Sequence, residues 1–196
     1  MTVRQQWMIV AGVVLVLAGG LFAATRVMHD QLFPVETGSA APPFRAKVLG
    51  ENRYKTLADY KGQVVLLNIW ATYCPPCIVE MPSIEKLHQA YGDKGLKVIA
   101  VSIDEYVTED SIRAFTKNLG LTFEILHDPT GAIEQQYQTT GYPETFVIGR
   151  EGMIRKKWIS AADWNSQGNR SLVAQLLGLE RPRVVVDTAS RGGGGP

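Results

Sequence analysis

Cysteine is almost missing from this chain of 196 residues, which holds two, Cys74 and Cys77. Separated by only two residues, they close a loop too short to act as a structural staple, so a disulfide framework is excluded and the pair reads as chemistry. An excess of charge of either sign is missing as well. With 20 basic and 19 acidic residues the net charge is +1, which provides no broad positive field for holding nucleic acid or an anionic bilayer surface. A protein or small-molecule partner is the better default. Histidine is scarce, and His88 and His127, the two that fall in the main domain, lack the spacing that would complete a two-cysteine half of a zinc site. No internal repeat is visible.

What is present begins with an uncharged, largely apolar run from Trp7 to Ala24, which as a helix would extend roughly 27 Å and nearly span a bilayer. Arg4 precedes it, so residues 1–29 are expected to be a signal-anchor with the N-terminus cytoplasmic and the rest of the chain extracytoplasmic. A cleaved signal peptide, with Ala23 and Ala24 at the cut, is the alternative, and a buried soluble helix is a second. Residues 30–43, with Pro34, Gly38, Ser39, Pro42 and Pro43, have the composition of a spacer and are expected to act as a tether. Residues 44–180 form the single domain, long enough to bury its own core. Residues 181–196 end in a glycine-rich tail expected to be disordered.

Within the domain, Phe44–Leu49 and Tyr54–Leu57 bracket a Gly50-Glu51-Asn52 turn and predict a small hairpin. The apolar run Val64–Trp70 predicts a strand covered on both faces, followed by a helix through Tyr91 and a second buried strand over Leu96–Ile103. That βαβ unit implies a parallel pair. Helix over Ser111–Leu119, strand over Thr122–Leu126 and helix over Ala132–Tyr137 come next. Thr145–Ile148 and Met153–Ile159 predict an antiparallel hairpin, and Ser171–Leu177 a closing helix. The expected class is α/β: a mixed sheet flanked by helices, with an N-terminal hairpin extension and an inserted helix-strand unit.

Cys74-Pro75-Pro76-Cys77 follows the first buried strand, so Cys74 stands where a helix is about to begin. Amides and the positive end of the helix dipole favour a thiolate there, and the thiolate is the attacking species. Cys74 is therefore the expected nucleophile, and Cys77, one turn on, the resolving thiol. The two prolines remove backbone donors and push the start of regular helix toward Pro76. A moderately acidified thiol and a reducing couple follow. Cys77, Glu80, Met81, Ile84, Leu87 and Tyr91 share a helical face, so Glu80 is expected to be buried with a raised pKa and to move protons for the cysteines. A surface glutamate at the helix start is the bland alternative. His88, on the same face, is expected to pack against the core, and Pro82 to kink the helix. A thiolate pair also suits Cu(I), so a copper-handling module stays open as an alternative to the enzyme. No metal or cofactor is expected otherwise.

These residues resemble the thioredoxin superfamily, in particular its anchored TlpA/ResA-like branch with the CcmG/DsbE proteins of cytochrome c maturation. The resemblance rests on Ala41-Pro42-Pro43-Phe44, on Leu57 through Thr72, on Cys74-Pro75-Pro76-Cys77 with Glu80, Met81 and Pro82, and on Gly141-Tyr142-Pro143-Glu144-Thr145-Phe146. It implies a thioredoxin-like fold and a cis-proline at Pro143 placed against the cysteines. It implies further that Trp70, Tyr73, Tyr142, Pro143 and Glu144 form the client surface, with the Tyr142 backbone pairing with an extended chain. Two departures stand out: Asn68 occupies the place of a buried acid, and Tyr73 a place where tryptophan is common. The implied activity is a protein-disulfide reductase on the periplasmic side of the cell membrane. Its implied partners are disulfides of exported proteins such as apocytochrome c and a membrane electron donor.

Overall fold

The computed structural model describes residues 3–32 and 34–180; the glycine-rich tail lies outside the described residues. Helix α1 runs Val3–Leu32, about 45 Å at 1.5 Å per residue. Its span Val3–Thr25 is long and apolar enough to cross a membrane and is 0% buried against the rest of the chain. That exposure disposes of the buried-helix alternative, because a core helix would cover one of its faces.

Seven strands form one sheet in the order β2-β1-β5-β4-β3-β6-β7. They are β1 (Arg45–Val48), β2 (Tyr54–Thr56), β3 (Val64–Trp70), β4 (Leu96–Ser102), β5 (Glu124–His127), β6 (Glu144–Ile148) and β7 (Ile154–Ile159). β3, β4 and β5 run parallel, while the pairings of β6 with β3 and β7 on one flank, and of β1 with β5 and β2 on the other, are antiparallel. Every residue of β3 is buried, which is why its sequence shows no alternation. The helices are α2 (Pro75–Tyr91), α3 (Glu109–Asn118), α4 (Ala132–Gln136) and α5 (Gln167–Leu176). α3, β5 and α4 are the inserted unit between β4 and β6.

Side-chain alternation assigns the faces. Asn68 reaches Glu80 on α2, and Trp70, two residues on, stacks on Phe115 of α3 with centroids 5.7 Å apart, so α2 and α3 cover one face. Phe146, opposite Leu67 in register, meets Tyr137 at the end of α4 edge-on at 4.9 Å, so α4 covers the other.

Three expectations are corrected. The helix at the cysteines begins at Pro75 rather than near Pro76, since at the first helical position a proline's missing N–H is no loss. α5 begins at Gln167, four residues earlier than periodicity implied, because the Ser166 hydroxyl accepts from the Asn169 amide and caps it. The supposed spacer is the largest departure: α1 continues to Leu32, and residues 35–42 are fastened to the domain. Gly38 N–H donates to the Ile154 carbonyl at 2.8 Å, Ile154 N–H to Ser39 at 2.9 Å and Ala41 N–H to Gly152 at 2.9 Å. Val35 is buried, and the Tyr137 hydroxyl donates to the Pro42 carbonyl. A composition poor in large apolar groups cannot build a core, but its backbone can still add to the edge of a sheet. Pro82 sits within α2 without dividing it.

Candidate active site

The C-terminal ends of β3 and β4 and the start of β6 converge at one end of the sheet. After β3 the chain turns through Ala71–Tyr73, with Cys74 N–H bonded to the Ala71 carbonyl, and enters α2 with Cys74 as N-cap. The turn is held from β4: buried Asp104 accepts from the Thr72 amide at 3.0 Å, from the Thr72 hydroxyl at 2.6 Å and from the Ser102 hydroxyl at 2.6 Å. No local motif marked Asp104 as a clamp on this turn, because Thr72 lies 32 residues away.

Cys74 and Cys77 are joined in a disulfide, with S–S 2.03 Å and Cα atoms 5.3 Å apart. Their exposure is unequal, 6% for Cys74 and none for Cys77. Cys74 therefore offers an edge rather than a free surface. Cys77 N–H donates to Cys74 Sγ at 3.2 Å. With prolines in the first two helical positions, that amide is the only donor among the first three of α2, as the sequence implied.

Glu80 lies on α2 three residues beyond Cys77 and is 1% exposed. Its Oε1 accepts from Asn68 Nδ2 at 2.7 Å, and its Oε2 from the Ala162 amide at 3.1 Å and from Trp164 Nε1 at 3.2 Å. Burial pushes its carboxyl up to about 7 and outweighs these three donors, which pull it down. At that value it exchanges a proton readily at neutral pH. Asn68 Nδ2 also donates to Thr145 Oγ1 at 2.8 Å, so the residue that replaces the superfamily's buried acid ties α2 to β6. Trp164 and Ala162 carry no signal in the sequence: they follow β7, more than 80 residues away, in a segment without periodicity.

The Tyr142–Pro143 peptide bond is cis. Tyr73, 64% exposed, and Tyr142 face a cleft of about 620 Å³ that is also lined by Ile103, Glu105, Tyr106 and Glu134. Burial first, and Glu134 second, push the Tyr142 hydroxyl above its ordinary range. Two of the residues assigned to the client surface are not on it. Trp70 is fully buried, because the alternation of β3 turns it under Phe115 of α3. Glu144 is fully buried too and lies 3.5 Å from Lys157 Nζ, with the Thr140 amide donating to it. Burial raises its carboxyl, and Lys157 opposes that. His88 packs edge-on to Phe123. Among the described residues no three His, Cys, Asp or Glu side chains are grouped to hold a metal.

Comparison with known proteins agrees with this geometry. Residues 37–157 match the AhpC/TSA family. The thioredoxin-like protein YneN of Bacillus subtilis is 42% identical over 122 residues, 62% of this chain and 70% of that protein. The thiol-disulfide oxidoreductase ResA of Oceanobacillus iheyensis is 34% identical over 157 residues, 78% of this chain and 81% of that protein. Among solved structures, a DsbE-type thiol:disulfide interchange protein from Chlorobium tepidum superposes with a TM-score of 0.66 at 26% identity, covering 73% of this chain and 99% of that one.

Proposed function

The chain belongs to the AhpC/TSA family and is a thiol-disulfide oxidoreductase of ResA/DsbE type with a thioredoxin-like fold, and from that premise we propose that it reduces disulfides of exported proteins outside the cytoplasm. In this reading α1 stays in the cell membrane, the domain faces the extracytoplasmic, periplasmic side, and the preferred client is apocytochrome c during its maturation. The observation that carries the proposal is a disulfide between two unequally exposed cysteines, one helical turn from a buried Glu80 whose carboxyl is pushed up to about 7.

The reduced enzyme acts in two exchanges. Cys74 thiolate attacks one sulfur of the client disulfide, a mixed disulfide forms and the other client sulfur leaves as thiolate. Cys77 passes its proton to Glu80 and attacks Cys74 Sγ, which regenerates the enzyme disulfide and releases the second client sulfur. Two electrons move to the client, and a membrane dithiol donor returns them by the reverse sequence. Tyr73 and Tyr142 border the client cleft, and the Tyr142 backbone pairs with an extended client chain. Trp70 and Glu144 support the site from beneath.

A redox titration of the chain against glutathione and dithiothreitol, followed by assay on a disulfide-bonded apocytochrome c, tests the proposal. A reducing couple with transfer to the client is expected. A strongly oxidising couple would instead indicate a disulfide donor, and thiols that fail to pair while holding Cu(I) would favour the copper-handling alternative.

A further inference from the structure

Reading α1 as a membrane anchor leaves open how the domain hangs from it, and the fastened segment that follows α1 bears on this. The segment has a direction. β6 starts at the cysteine end, where Glu144 pairs with Ile69, and finishes at the far end, where Ile148 pairs with Val65. Ala41 binds Gly152 and lines a cavity with Gln63 and Val65, all at the far end. Val35 lies toward the other end: its carbonyl accepts from Lys157 Nζ at 3.0 Å, the same ammonium that lies 3.5 Å from the Glu144 carboxylate. Its amide donates to Gln138 at 3.2 Å, five residues before cis-Pro143. The Ala40–Met153 bridge is antiparallel, so the segment runs opposite to β7, from the cysteine end to the far end.

The part of the segment nearest the anchor is thus the part nearest the active site. Leu32, the last residue of α1, is three links from Val35, at most about 11 Å at 3.8 Å per residue. A second observation agrees. Outside α1, seven large apolar or aromatic residues are exposed among the described residues, and five of them, Tyr73, Val79, Tyr106, Trp158 and Ile159, lie at the cysteine end. Tyrosine and tryptophan are the side chains that favour a bilayer interface.

We propose that residues 35–41 are a strap that holds the cysteine end of the domain toward the bilayer surface, so that Cys74 meets its electron donor in the plane of the membrane. The strap, rather than surface charge, sets the orientation. The proposal rests on the anchor reading above and fails separately from it.

Energy transfer from a single label to acceptor lipids in the vesicle surface tests it. The full chain carries Cys74→Ser and Cys77→Ser, and the donor is attached at Tyr106→Cys or at Gln63→Cys. About 20 Å of strand separates the two ends, and transfer from Tyr106→Cys is expected to exceed that from Gln63→Cys by more than about twofold. Gly38→Pro should bring the two values together, because proline has neither the N–H given to Ile154 nor access to the φ of +97° found there. If that variant fails to fold, an insertion of about ten glycines and serines after Pro34 frees the link without touching the strap, and should do the same. Equal or reversed transfer in the parent chain overturns the proposal, as does a difference that survives the insertion. A chain that does not float with the vesicles overturns the anchor reading and this proposal together.

Discussion

Glu80 shows how much of the chemistry resides in one side chain. Its carboxyl near 7, against an ordinary value of 4.5, means that between those values the folded chain keeps a proton the unfolded chain has lost. Stability from this group is therefore fully present below about pH 4.5 and declines as pH rises toward 7, by at most about 3 kcal/mol. Glu80→Gln should flatten that part of the stability profile in urea unfolding measured from pH 4 to 8. The same variant should slow client reduction at neutral pH about a hundredfold, since in the proposed mechanism Glu80 accepts the Cys77 proton. Trp164→Phe deletes one of the three donors to the carboxylate and should raise the Glu80 titration midpoint further, as read by carboxyl NMR. The face containing Cys77 and Met81 made the burial of Glu80 legible from sequence. Its donors were not, because Trp164 and Ala162 approach from another part of the chain.

At the scale of the element, α2 has the two features its sequence announces, a cysteine at the N-cap and a deficit of amides behind it. Pro76→Ala restores an N–H to the second helical position and should stabilise the Cys74 thiolate by about 1 kcal/mol, roughly fivefold in thiolate fraction. Alkylation rate against pH measures that change, and the couple should become less reducing in parallel. Strand β3 was legible because burial on both faces leaves an unbroken apolar run. The same uniformity hid which way each side chain points. Trp70, which the resemblance places on the client surface, lies under α3, since register with β4 and β6, not local composition, fixes its face.

Across the whole molecule, Lys157 joins three parts of the chain: it bonds the Val35 carbonyl and Glu36 and lies against buried Glu144. Lys157→Met leaves that carboxylate without its cation and should cost about 3 kcal/mol in urea unfolding at pH 7, with Lys157→Met/Glu144→Gln recovering most of the loss. Local sequence was enough for the redox pair, the helix behind it, the apolar run of α1 and the parallel βαβ heart of the sheet, because each element shows in local spacing and in the periodicity that burial imposes. It could not supply the clamp of Asp104 on Thr72, the cradle of Glu80, or the docking of a segment whose composition reads as a tether. Those depend on which distant backbone groups and side chains are brought within hydrogen-bonding reach, and only the closed sheet decides that.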